Sequence, residues 1–307
     1  MMFPSFDFRQ WYQTNVTTLC QVEKLFLGDQ SENELYFRGM GNYDFVCIST
    51  FYRYFINSRQ LNWVEKDVGY NSMVLLPEID NDEYKSLSFQ ILDEFYNNLR
   101  AMGSTELSLD TIAYLAQHYG LPTDLIDFSY DPKIALFFAC CEMPEHDCSV
   151  YMFDIYHHVK RSMYAFGSGR NGWFHSPDGS PLSEKEVEQY VKKSCTEIDR
   201  DGDSTVTPII AFENIKYGQR ILNQKGAFIY HRDPIPMDQL MYTASTDTFY
   251  QGRRVYKISK ELKPIILQIL DDKYGINKSF AYPSYEADQN LEIIEMAVEK
   301  TKEKFGL

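Results

Sequence analysis

The chain has 307 residues, 44% of them hydrophobic and 15% aromatic, which is ample apolar material for one large or two modest domains and excludes a disordered chain. A formal charge of −14 and a pI near 4.9 set up a field that repels phosphate at long range, which argues against non-specific tracking along duplex DNA. A local basic pocket stays open, because Arg38, Arg53, Arg59, Arg220, Arg232, Arg253 and Arg254 can converge in space.

The opening residues show no basic segment followed by an apolar stretch, so no secretory signal is expected. The longest apolar run, IALFFACC, is far short of the roughly 18 to 20 residues that span a bilayer, which predicts no membrane partner. Cysteines at 20, 47, 140, 141, 148 and 195 form no metal or disulfide ladder and read as free thiols of a cytoplasmic protein.

In chain order, Val16, Leu19, Val22, Leu25 and Phe26 fall at helical spacing and predict a helix over 15–27 stopped by Gly28. LYFRGM (35–40) reads as a strand entering a turn. Leu87, Ile91, Phe95, Leu99 and Met102 predict a helix over 84–102. Another is expected over 110–119, capped by Asp110 and stopped by Gly120 and Pro122. Asp131-Pro132 opens an apolar helix that should sit in the core.

The second half is richer in strand signals: SVYMFDI (149–155), PIIAFE (208–213), AFIYH (227–231) and RVYKIS (254–259). Between the first two lies an insertion of about 157–207, with a glycine-rich loop and a capping box begun by Ser183 and closed by Glu186. A helix with Leu262, Ile265, Ile266 and Ile269 inward ends near Gly275, and a last helix is expected over 285–304. The pattern predicts one α+β domain over 1–307, core about 15–290, with a mixed or antiparallel sheet and flanking helices.

Most local motifs dissolve on inspection. Gly167, Gly169 and Gly172 spell a dinucleotide fingerprint with no helix after it. DRDGDS (199–204) misplaces the glycine of a calcium loop and lacks its closing glutamate. His157-His158 has no ligand partner beyond Asp154, and Cys140 and Cys141 lie in an apolar helix where a thiolate is costly. No metal site is expected. What remains is QHYGLPTDLIDFSYDPKIALFFACC (117–141), Arg38, and NQKGAFIYHR (223–232). Helix stop and start account for Gly120, Pro122, Asp131 and Pro132, but not for His118, Tyr119, Asp127 and Ser129. Arg38 offers a planar fork for phosphate or for a structural ion pair.

Together Phe37-Arg38-Gly39, STFYR (49–53), AQHYGLPTDLIDFSYDPKIALFFA (116–139), RILNQKGAF (220–228) and KYGINKSFAYPSYE (273–286) resemble the FRG-domain family over about residues 15–290. A more distant resemblance is to ADP-ribosyltransferases, in which an Arg-Gly strand, a Ser-rich strand running into an Ala-x-x-Phe-Ala-like helix, and a Gln/Glu-x-Glu strand follow in that order. The resemblance implies a divergent ADP-ribosyltransferase-like fold with NAD as co-substrate. Arg38 and Gly39 would then clamp the pyrophosphate, Ser129 and His118 would hold ribose or nicotinamide, and Tyr119 or Phe228 would stack on the ring. The usual catalytic glutamate falls at Gly226 and the first position of its motif at Gln224, which leaves Asp127 as the substitute carboxylate. The resemblance further implies a bacterial effector, a toxin or phage-defence component, that modifies a protein or nucleic acid and is held in check by a neutralising partner. The competing readings are a non-catalytic nucleotide-binding or sensor module, and an RNA-modifying enzyme on the same fold.

Overall fold

Chain entry into the sheet is decided by Thr18. Its hydroxyl accepts from the Gln21 backbone N–H while the Gln21 side chain accepts from the Thr18 N–H, a reciprocal cap that forbids helix before residue 19. The helix expected from residue 15 is therefore replaced at its start by β1 (Gln13–Val16), which pairs in parallel with the last strand, and only then by α1 (Leu19–Val22) and a π-helical turn (Glu23–Leu27). This computed structural model describes residues 13–28, 35–67, 73–104, 106–153, 183, 185–186, 198, 209–211, 219–231, 234–238, 253–283 and 291–307. The glycine-rich loop, DRDGDS after residue 198, His157-His158 and Cys195 lie outside them. Of the predicted insertion, the capping box is visible: Glu186 accepts from the Ser183 N–H at 2.8 Å, and Ser183 Oγ accepts from the Glu186 N–H at 3.4 Å.

The following elements are β2 (Tyr36–Met40), α2 (Thr50–Asn57), β3 (Trp63–Asp67), β4 (Met73–Pro77), α3 (Asn81–Ala101), α4 (Leu109–His118), β5 (Leu125–Ser129), α5 (Pro132–Cys140) and β6 (Cys148–Phe153). After these come β7 (Ile209–Ala211), α6 (Gln219–Gln224), β8 (Gly226–Tyr230), β9 (Arg253–Ile258), α7 (Lys263–Tyr274), α8 (Lys278–Ala281) and α9 (Leu291–Phe305). Among the described residues seven strands form one sheet in the order β1-β9-β6-β2-β5-β8-β7, antiparallel except for β1 on β9, and β3 and β4 form a separate hairpin. The mixed α and β architecture with flanking helices is as expected, whereas periodicity did not show β5 or the β3–β4 hairpin.

Several boundaries moved for local reasons. Ser108, not Asp110, caps α4 by accepting from the Thr111 N–H, and Asp110 instead accepts from the Ile198 N–H at 3.1 Å. Gly120 does stop α4, at φ +84°, with Leu121 N–H bonded back to the Ala116 carbonyl, a left-handed stop that glycine reaches without strain. In α7 the inward residues are Lys263, Ile266 and Leu270, and Ile265 is exposed. None of the described helices is long and apolar enough to cross a membrane.

The sheet is tight on one side of β2 and open on the other. β2 and β6 share five register pairs, from Tyr36 opposite Phe153 to Met40 opposite Ser149, and β6 shares six with β9. β2 and β5 share one, Phe37 opposite Ser129, so the two strands part beyond it. Over the tight part lies α5, buried nearly all round as expected, in a cluster with Phe37, Val150, Tyr256, Ile258 and Ile266. The other part is covered by α3, α4 and α9, which pack with Leu125, Phe228 and Tyr230.

Two features lock α5 in place. A Cβ on Gly39 would stand 1.9 Å from the Ala135 carbonyl oxygen and 2.6 Å from the Ala139 nitrogen, so only glycine lets the α5 backbone lie directly on β2. The chain following α5 is held by buried Lys263, whose ammonium donates to the carbonyls of Gly41, Glu142, Met143 and His146 at 2.8–3.2 Å. Among the described residues no carboxylate takes part in that clamp, and carbonyl dipoles compensate the charge.

Candidate functional site

The parting of β2 from β5 leaves the Asp127 carbonyl without a ladder partner on the β2 side, and Arg38 supplies the missing bond. Its Nη1 donates to that carbonyl at 2.7 Å and lies 3.4 Å from Asp127 Oδ2. The Arg38 side chain is 19% exposed and the Asp127 side chain 58% exposed. Arg38 Nε is buried and donates to nothing among the described residues, so the guanidinium keeps an unused donor. The structure thus realises the ion pair, in a form that still leaves the Asp127 carboxylate exposed.

Gln117, the last-but-one residue of α4, faces the same carboxylate. Its Nε2 lies 3.3 Å from Oδ1 and 3.4 Å from Oδ2 of Asp127. The orientation of its amide is decided on the other side, where Oε1 accepts from the hydroxyls of Thr123 at 2.7 Å and Thr50 at 2.9 Å. Two donors on Oε1 leave only the NH2 group to face Asp127. Thr50 opens α2 and Thr123 leads into β5, so three elements fix one amide.

An open cleft of about 200 Å³ begins at Asp127. His118 and Phe228 form its aromatic wall with Tyr114, against which His118 stacks at 5.6 Å and Phe228 tilts at 5.7 Å. α6 supplies Arg220, Ile221 and Gln224, and Gly226 begins β8 at the floor. The Gln224 amide donates to the Ala281 carbonyl at 2.9 Å, and Asn223 donates to the Phe280 carbonyl, which ties α8 to α6. The Arg220 guanidinium lies 5.0 Å over the ring of Tyr282 just beyond α8. Burial raises the Tyr282 hydroxyl pKa above its ordinary value, with the charges of Cys141, Glu142 and Asp127 adding to it against Arg220.

The sequence-nominated residues therefore separate. His118, Asp127, Gln224 and Phe228 come together at the cleft, and Arg38 is joined to it through its bonds to Asp127. Ser129 does not line it: its hydroxyl donates to the Gln224 carbonyl at 2.8 Å and accepts from the Asp131 N–H at 3.0 Å, closing the turn into α5. Tyr119 packs edge-on against His118 at 5.0 Å, behind the wall. Gly39 faces α5 rather than the cleft, so its missing side chain serves helix packing instead of close approach by a ligand. Arg220 is named by sequence only among seven arginines able to converge, and Gln117, Tyr114 and Tyr282 are not among the nominated residues, since nothing about an isolated Gln or Tyr says which way it faces.

Neither Cys140 nor Cys141 offers a ready thiolate. The hydrogen bond with Cys148 and burial push Cys140 up, and burial with the nearby Glu142 charge pushes Cys141 up to about 11. Asp131 serves structure. Burial alone would raise its carboxyl, yet the hydrogen bonds from Lys225 and the Lys133 N–H outweigh it and hold the group below the usual carboxylate range. Among the described residues no cluster of three metal-ligating side chains assembles.

Residues 33–148 match the model of the FRG domain, which bears out the family resemblance over that part of the chain. Arg38, Gln117, His118 and Asp127 lie inside the match, and α6, β8 and Tyr282 beyond it. No curated protein and no solved structure matches the chain.

Proposed function

We propose that the cleft binds the nicotinamide-ribose end of NAD and that the chain transfers ADP-ribose from it. The observation that carries this is the Asp127 carboxylate, which is exposed at the cleft, held by Gln117 and Arg38, and faced by His118, Gln224 and Phe228. A cleft of about 200 Å³ is smaller than the roughly 300–1,000 Å³ that encloses a drug-sized ligand, so it takes one ring and its ribose, with the pyrophosphate lying outward between Arg38 and Arg220. In the reaction the C1′–N bond breaks and its electron pair leaves with neutral nicotinamide. Asp127 stabilises the oxocarbenium charge on the ribose. A C1′–O bond then forms to an acceptor hydroxyl or to water, whose proton passes to His118.

A binding module without chemistry is the second reading, favoured by one observation. A Cβ on Gly226 would meet Ile221 Cγ1 at 2.8 Å, so α6 closes over the place where the resemblance puts a glutamate. Calorimetry with ADP-ribose and release of nicotinamide from labelled NAD separate the two. Transfer predicts ADP-ribose binding, and nicotinamide release that Asp127→Asn reduces about a hundredfold. Binding without release leaves the module, and neither signal overturns both.

A further inference from the structure

Beside the cleft, aromatic rings and cations alternate along the surface formed by α5, α6, α7 and the residues after α8. Tyr282 is 39% exposed, with Arg220 stacked on it at 5.0 Å. Arg220 makes no ion pair with a described residue. Five residues on, just past the end of α6, Lys225 is 46% exposed, and its backbone carbonyl accepts from the N–H of Tyr130, itself 48% exposed. Lys133 comes next, 5.6 Å over the ring of Tyr274, which is 40% exposed. Asp131 bonds both Lys225 and Lys133, but its side chain is only 8% exposed and lies beneath them. Arg220, Lys225 and Lys133 put three cations beside these rings on a chain of net charge −14, with Asp131 buried beneath two of them and the Asp127 and Glu142 charges reaching Tyr282. Lys225 also holds φ +44°, a backbone state that non-glycine residues rarely adopt, which keeps it at the apex between α6 and β8.

We infer that this ledge binds single-stranded nucleic acid, with bases stacking on Tyr282, Tyr130 and Tyr274 and phosphates contacting Arg220, Lys225 and Lys133. A duplex hides its base faces inside the helix, whereas a single strand offers them to exposed rings, and stacking tolerates any sequence. The ring-and-cation alternation fits that chemistry better than an acidic peptide, which would use the cations and leave the rings idle. The inference names the acceptor class for the reading of the cleft given above and rests on that reading only for the chemistry, since strand binding is measured without NAD.

The test is fluorescence anisotropy with a labelled 12-nucleotide single-stranded RNA, its duplex, and a polyglutamate peptide as competitor. Three cation contacts predict a dissociation constant on the order of 10 µM at low salt and a log–log salt slope of about −2. Tyr282→Ala should weaken binding about tenfold at unchanged slope, with Tyr282→Phe restoring it. Lys225→Met should reduce the slope by about 0.7. Tyr130→Ala, outside the cleft, should weaken RNA binding and leave ADP-ribose affinity unchanged, so the two readings fail separately. A single cooperative unfolding transition in each variant excludes misfolding, with Lys225→Met melting a few degrees lower for its lost pair with Asp131, and a variant without such a transition is replaced by competition on the wild-type chain. No binding at 100 µM protein, equal affinity for the duplex, or full displacement by equimolar polyglutamate would each overturn the inference.

Discussion

The two sides of β2 carry out opposite tasks with three consecutive residues. Phe37 and Gly39 turn toward α5, the one as a buried ring and the other as the absence of a side chain that would strike the helix backbone. Arg38 turns the other way and replaces a missing ladder bond on Asp127. One side tolerates no added atom, and the other leaves a donor unused and a carboxylate exposed. A motif read as a single binding signal is thus two-thirds packing. Its conformational demands explain the phenylalanine and the glycine, and only the arginine is left to explain by chemistry.

The sharpest way to break this division is Gly39→Ala. With Cβ 1.9 Å from a carbonyl oxygen of α5, the substitution should cost at least about 3 kcal/mol, because backbone on both sides must move; thermal unfolding would show it. Lys263→Met should cost about 3 kcal/mol as well, by stranding carbonyls that now share the buried ammonium. Its urea midpoint should fall at unchanged slope. Arg38→Ala belongs to the open side and should cost only about 1.5 kcal/mol, the worth of one charge-assisted hydrogen bond. ADP-ribose binding should nevertheless be lost in calorimetry, and Arg38→Lys should not restore it, since an ammonium has no planar fork.

A smaller effect is expected where α6 meets α5. The Asp131 carboxyl is held below its ordinary value in the folded chain. Its pairing therefore contributes fully above the unfolded value near 4 and is lost as pH falls through the lower folded one. Lys225→Met should cost about 1 kcal/mol at pH 7, a modest value because the lysine is half in water. Denaturation curves of variant and parent should converge as pH falls below the lowered folded-state value of Asp131. Least of all, Gly226→Ala should cost under about 1 kcal/mol, since the Ile221 side chain it meets can rotate away. A cost matching that of Gly39→Ala would show that the floor of the cleft is packed as rigidly as the α5 side.

Much of the fold was legible because its signals are local. Asp131-Pro132 starts α5 and Gly120 stops α4, as caps do wherever they occur, and β-branched and aromatic runs marked β6, β8 and β9. The helix expected from residue 15 failed because apolar spacing over five residues does not distinguish β1 followed by α1 from one continuous helix. Only the Thr18 cap and the parallel pairing with β9 decide it. Ile265 failed for a related reason: α7 turns Ile266 and Leu270 inward around Lys263, and a charged core residue is not something periodicity anticipates.

By itself the sequence nominated residues to test, Arg38 with His118, Tyr119, Asp127 and Ser129, because helix start and stop did not account for the last four. Tertiary structure decided the rest. It placed Ser129 and Tyr119 off the cleft and Gly39 under α5, and it brought Gln117 and Arg220 to the cleft from α4 and α6, with Tyr282 beneath Arg220 beside it. The physical reason is that capping and turn preferences act within a few residues, whereas a cleft exists only where two strands part. That parting, one register pair between β2 and β5, is set by everything packed on either side of them.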